Sequence, residues 1–109
     1  MRIVETSPGK FSLMLDAGTT DVDEVIEELS HEPNGYFWEG IAQLLVDTEA
    51  PHLEGRFDYD PEGDTFVAHG SDRPALDELT TLMTAVATDA DRLRRLVALA
   101  EDRGFEFDD

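Results

Sequence analysis

In LEGRFDYDPEGDTFVAHG, residues Leu53–Gly70, large side chains recur at every second position on both sides of a turn signal. Leu53, Gly55, Phe57 and Tyr59 share one face of an expected strand, and Phe66 and Ala68 share a face of the next. Asp60-Pro61-Glu62-Gly63 joins them. Proline suits the second position of a type I turn and glycine tolerates the left-handed position that follows, so the segment is expected to be a hairpin.

On either side of this hairpin the period lengthens to that of a helix. Upstream, HEPNGYFWEGIAQLLV (His31–Val46) places Phe37, Trp38, Ile41, Leu44 and Leu45 on one stripe if Asn34 is the cap. Two large aromatics at a helix start usually lock it onto a core. The opposite face is Tyr36, Gly40, Gln43 and Asp47. Gly40 costs about 1 kcal/mol relative to alanine inside a helix, which points to close approach by a neighbour, from this chain or another. Before Pro33, a shorter helix is expected with Thr20 or Asp21 as cap, Glu24 completing a capping box from Asp21, and Val22, Val25, Ile26 and Leu29 inward. Its end is set near His31 by Pro33 and Asn34-Gly35. Further upstream, Lys10–Leu15 (KFSLML) reads as a strand, with Ile3–Glu5 as its hairpin mate across Ser7-Pro8-Gly9.

Downstream of the hairpin, Asp72 caps a helix ahead of Pro74 with Leu76, Leu79, Leu82, Met83 and Val86 inward. Thr88 or Asp89 opens another, with Leu93, Leu96, Val97 and Ala100 inward. Gly104 stops it, and Phe105 and Phe107 are expected to pack back onto the domain. The expected fold is α+β: a small antiparallel sheet, made of the N-terminal strands and the central hairpin, packed with about four helices in one domain spanning 1–109.

Charge dominates the composition. Eight Lys plus Arg stand against 26 Asp plus Glu, a net charge of −18, and Lys10 is the only lysine. Such a field repels phosphate backbones and anionic membranes and speeds encounter with a basic partner, so nucleic acid and membrane are not expected as partners. A host-wide acidic bias, in which surface carboxylates serve solubility, would give the same number. The 109 residues contain no cysteine, which rules out disulfides and thiolate chemistry. No apolar run approaches a membrane span and the first residues lack the apolar core of an export signal, so a cytoplasmic location is expected.

No catalytic signature stands out. Asp58, Asp60, Glu62 and Asp64 resemble the opening of a calcium loop, but His69 occupies the place of the final bidentate Glu, and Pro61 suits a hairpin better. His31, His52 and His69 have no metal-binding spacing. Neither G-x-S-x-G nor a P-loop is present, and carboxylates are too abundant for a pair of them to signal acid/base catalysis. Neither cofactor nor metal is expected, and the chain is read as no enzyme.

The acidity is concentrated. Asp16–Glu32 holds seven carboxylates and no Lys or Arg. Asp21, Glu24 and Glu28 fall along one helical face with Glu27 beside it, and like charges at that spacing weaken a helix slightly. A surface for cationic residues explains their retention, as does a merely solvated face. Tyr36 and Glu39 are further surface candidates on the next helix, and the hairpin carboxylates Asp58, Asp60 and Asp64 are the alternative. Arg92, Arg94, Arg95 and Arg103 in the last helix are expected to pair with Asp91, Glu101 and Asp102.

HEPNGYFWEGIAQLLV, the acid-rich hairpin FDYDPEGDTFVAHG, and the helix pair from SDRPALDEL to GFEFDD together resemble the immunity protein 51 family of bacterial polymorphic toxin systems, over about Glu32–Asp109. The resemblance implies a small cytosolic protein that binds and neutralises a cognate toxin. Toxin domains that act on nucleic acids must hold phosphate, so a basic nuclease surface occluded by an acidic inhibitor joins the resemblance to the charge. An acidic adaptor or nucleic-acid mimic with some other basic partner is the alternative, ahead of a small metal-dependent enzyme.

Overall fold

The computed structural model describes residues 1–108. The first two strands, β1 (Arg2–Ser7) and β2 (Lys10–Asp16), form a hairpin closed by Pro8-Gly9, with Gly9 at φ +77°. Proline presets the first central φ of this turn, and glycine alone takes the second without strain. Helices α1 (Asp23–Glu28) and α2 (Gly35–Glu49) follow, then a 3₁₀ turn at Pro51–Leu53. Strands β3 (Asp58–Tyr59) and β4 (Thr65–Gly70) make the central hairpin, and α3 (Arg73–Ala87) and α4 (Ala90–Asp102) follow it. The four strands are antiparallel in the order β1-β2-β4-β3. The fold is α+β, as expected from the sequence.

Leu13 and Leu15 of β2 and Phe66 and Ala68 of β4 point to one face of the sheet, where α2 and α3 pack. Phe37, Trp38, Ile41 and Leu45 of α2 are fully buried there, as are Leu76, Leu79 and Met83 of α3. Each such side chain contributes roughly 1.5–3 kcal/mol through removal from water. The opposite sheet face carries the rows Arg2, Met14, Val67 and Val4, Ser12, His69, set by the strand register.

Three helix starts carry the expected side-chain caps. Asn34 Oδ1 accepts from the Phe37 N–H at 2.9 Å, Asp72 Oδ1 from the Ala75 N–H at 3.1 Å, and Asp89 Oδ1 from the Asp91 and Arg92 N–H groups at 3.0 and 3.2 Å. The first helix differs. It begins at Asp23 without a side-chain cap, because the Thr20 hydroxyl donates to Asp23 Oδ1 at 2.6 Å and accepts from the Val22 N–H. This local bonding replaces the box expected between Asp21 and Glu24 and leaves Asp21 outside the helix.

The central hairpin also departs from its expected details. Gly55 has φ +78° and the 3₁₀ turn occupies Pro51–Leu53, so the strand expected from Leu53 shrinks to Asp58–Tyr59. Leu53 and Phe57 are buried all the same, so their alternation reports burial without a ladder. The turn is centred on Gly63-Asp64, two residues later than expected. Glu62 and Thr65 exchange both N–H···O bonds at 2.8 Å, and among the two central residues only Gly63, at φ +51°, is positive. That is the type II′ pattern, whose twist matches the strands where a type I turn would splay them. Two further bonds fasten the tip. The Gly35 N–H donates to Gly63 O at 2.8 Å and the Ala17 N–H to Asp64 O at 2.7 Å. A Cβ on Gly35 would lie 2.7 Å from the Thr65 carbonyl carbon, so only glycine fits at that helix start.

The close neighbour of Gly40 is the chain itself. Phe105 and Phe107 fold back across α2, where a Gly40 Cβ would meet Phe107 Cε1 at 2.8 Å and Phe105 Cε1 at 3.3 Å. Phe107 stacks on Phe37 at 4.9 Å between ring centroids and meets His31 edge-on at 4.9 Å. The helix face that reads as exposed is therefore covered at Gly40.

Candidate functional site

Below Gly40 the same side of α2 opens into a cleft. Glu39, Gln43 and Asp47 recur at intervals of four and so rise along one face of the helix. Past the 3₁₀ turn, the left-handed Gly55 swings the chain back and brings Glu54, Phe57, Asp58 and Tyr59 opposite that face. Phe105 closes one end. The cleft encloses about 440 Å³ between Gln43, Asp47, Glu54, Gly55, Phe57, Asp58, Tyr59 and Phe105. Its walls are aromatic. Phe57 and Tyr59 meet edge to face at 5.7 Å, and Tyr59 lies 6.0 Å from the buried Phe66.

The electrostatics of the cleft follow from its carboxylates. Burial pushes the Tyr59 phenol well above its ordinary value, and the negative fields of Glu54, Glu39 and Asp47 add to that rise. Glu39 is itself raised, first by partial burial and then by Asp108. Both shifts report burial first and neighbouring carboxylates second. Asp47, Glu54 and Asp58 form no ion pair among the described residues, whereas most arginines are occupied elsewhere. Arg2 pairs with Asp16 at 3.4 Å, Arg56 with Asp72 at 3.5 Å and Arg73 with Asp77 at 3.1 Å.

The last helix uses its arginines only in part as expected: Arg94 meets Asp91 as the sequence suggested, while the other pairs cross to neighbouring helices. Arg92 pairs with Glu49 of α2, and Arg94 reaches Glu28 of α1 at 3.3 Å and Asp91 at 3.7 Å. Glu101 and Asp102 take no ion pair among the described residues, and Arg103 sits at the helix end. Packing of α4 beside acidic neighbours makes partners across helices available to arginines read only along their own helix.

The nine residues singled out from sequence fall in several places. Glu24 and Glu27 are exposed on α1, Glu28 is held by Arg94, and Asp21 borders a shallow depression with Thr19, Thr20, Thr84 and Thr88. Tyr36 is 38% exposed one turn before Glu39. Asp60 and Asp64 have exposed side chains on the hairpin, where their backbones bond to Val67 and Ala17. Only Asp58 lines the cleft, with Glu39 close enough to raise Tyr59. Gln43, Asp47, Glu54, Phe57, Tyr59 and Phe105 were not singled out. The spacing of four from Glu39 through Gln43 to Asp47 was the available signal; the return of Gly55 and Phe105 was not visible.

Asp58 also borders a second cleft, of about 400 Å³, lined by Lys10, Ser12, Arg56, His69 and Ser71 among others. It holds no ion pair to those cations among the described residues. His52 bonds to Glu78 at 2.6 Å, and among the described residues no three His, Asp or Glu side chains are grouped to hold a metal ion. Nor is any helix there long and apolar enough to cross a membrane.

The structure is an antiparallel sheet backed by helices, with an open cleft bordered by Asp47, Glu54 and Asp58 on the flank of α2. The family model of Immunity protein 51 matches residues 1–102, and the chain belongs to that family. The match includes the N-terminal hairpin and stops before GFEFDD, so its limits differ at both ends from those of the resemblance seen in the sequence. Comparison with curated proteins and with solved structures returned no match. Membership supports an immunity role and implies a toxin partner.

Proposed function

We propose that this protein neutralises a cognate toxin domain by covering a basic surface with the acidic flank of α2 and β3, and that the toxin is a nuclease. The carrying observation is that Asp47, Glu54 and Asp58 border one cleft and form no ion pair among the described residues. Carboxylates left unpaired in this way are available to a partner. The net charge of −18 supports the same reading, because a nuclease must present positive charge to phosphate and an acidic inhibitor approaches such a surface by steered diffusion. The exposed α1 carboxylates extend the field without forming a shaped site.

The test is co-purification of the chain with the product of the adjacent gene, followed by association kinetics across a salt series. Replacing Asp47, Glu54 and Asp58 by Asn or Gln should slow association about tenfold or more at low salt, with the difference shrinking as salt rises. Replacing Asp21, Glu24, Glu27 and Glu28 should slow it less. A complex whose association ignores both sets of changes places recognition on another surface, and absence of any complex removes the toxin-neutralising reading.

A further inference from the structure

We propose that the cleft between α2 and β3 is the receptor for one arginine side chain of the partner, whose guanidinium lies against the Phe57, Tyr59 and Phe105 rings within reach of Asp47, Glu54 and Asp58. The inference rests on the toxin-neutralising reading for the identity of the protein that carries the arginine, and on the cleft alone for its chemistry.

Carboxylates attract any cation, so the choice of ligand depends on what else the walls offer. A bare metal ion needs oxygens gathered around one point, and among the described residues no such group exists. The three carboxylates come from three separate segments, α2, the bend after the 3₁₀ turn, and β3, and border an open volume. A guanidinium is suited to that spread. It is planar, presents five N–H donors around its edge, and is weakly hydrated, so it can stack on an aromatic face while donating to carboxylates on different sides. An ammonium group is a compact, strongly hydrated charge that gains less from the rings. Phe57 is only 9% exposed, and Tyr59 and Phe105 are half-buried, which fixes the apolar walls in place. The Gln43 side chain adds a carbonyl acceptor on the remaining wall. The chain uses the same chemistry internally, where the Arg73 guanidinium carbon lies 5.5 Å from the centre of the Phe11 ring.

The test uses the full chain and a defined probe. N-acetyl-arginine amide is titrated into isotope-labelled protein, with N-acetyl-lysine amide as the comparison. Saturable shifts are expected at the Gln43 side-chain amide and at the backbone amides of Gly55, Phe57 and Tyr59, with the lysine probe weaker by about three- to fivefold. Asp47→Asn with Asp58→Asn should abolish saturation. Phe105→Leu, which retains an apolar wall without a ring, should remove most of the preference for arginine. Equal affinity for the two probes, or shifts spread over α1 instead of the cleft, overturns the inference. The two readings separate cleanly. Saturation of the cleft by the arginine probe without a co-purifying toxin supports the receptor and rejects the immunity reading. A toxin complex whose affinity is unchanged by Asp47→Asn with Asp58→Asn rejects the receptor and retains the immunity reading.

Discussion

Gly40→Ala should destabilise the protein even though alanine is the better helix former. At an interior helical position the exchange alone gains about 1 kcal/mol. Here the new Cβ would stand 2.8 Å from Phe107 Cε1 and 3.3 Å from Phe105 Cε1, so the terminal segment must lift away. Lifting it exposes the covered part of Phe107, on the order of 1–2 kcal/mol for a half-buried ring. It also breaks the stack on Phe37, a further ~0.5–1.5 kcal/mol. The balance is a net loss of about 1 kcal/mol, equivalent to a fall in Tm of roughly 4–8 °C for a domain near this size. Urea melts followed by Trp38 fluorescence would measure it. In a Phe107→Ala background the main obstruction is gone, leaving Phe105 Cε1 at 3.3 Å, and the same Gly40→Ala exchange should instead stabilise by up to about 1 kcal/mol. The reversal of sign identifies the mechanism. If Gly40→Ala stabilises the otherwise unaltered chain, or costs the same in both backgrounds, Phe107 does not occupy the space above Gly40.

Trp38→Ala should cost roughly 3–5 kcal/mol in denaturant melts, as deletion of a fully buried large ring does. Trp38→Phe should cost far less, because the indole N–H has no acceptor among the described residues and its removal relieves a buried donor. Gly63→Val should lower the melting temperature more than Glu62→Ala, since only position 63 holds a positive φ in the turn; equal melting temperatures would reject the assignment. Glu39→Gln should raise Tm at pH 7. The folded carboxyl is held above its ordinary 4.5, so its stabilising effect is complete below that pH and declines as pH rises through the folded value. The advantage of the variant should therefore close as the solution is taken below pH 4.5, and an advantage that stays constant with pH would contradict the shift.

Legibility in the sequence followed the range of the forces involved. The stripe Phe37, Trp38, Ile41, Leu44 and Leu45 and the caps Asn34, Asp72 and Asp89 were readable because each depends on residues within a turn or two of one another. Thr20 bonded within the same few residues and still won over the expected Asp21 box, since two local arrangements competed and only one could form. Leu53 and Phe57 misled because burial and strand pairing share a period of two until a left-handed glycine intervenes. The cleft was the least legible part. Asp58 was named as a candidate, but the apposition of Asp47 and Phe105 depends on how a helix, a bend and the chain end meet in space, which no local spacing records.

The pairing of β2 with β4 has a kinetic consequence. Their partnered residues run from Asp16 with Thr65 to Phe11 with Gly70, so the middle of the sheet joins positions about fifty to sixty apart in the chain. Each hairpin can close over a loop of a few residues, and the helices can form from their own neighbours. The seam between the two hairpins requires the intervening α1 and α2 to be gathered first, at a loop-closure cost that local contacts do not return. Formation of that seam is therefore expected to be the slow event in folding, with the bonds from Gly35 to Gly63 and from Ala17 to Asp64 as its clasp. Substitutions at the clasp should slow refolding more than they hasten unfolding, whereas changes at Phe107, in the terminal segment, should act chiefly on the unfolding rate.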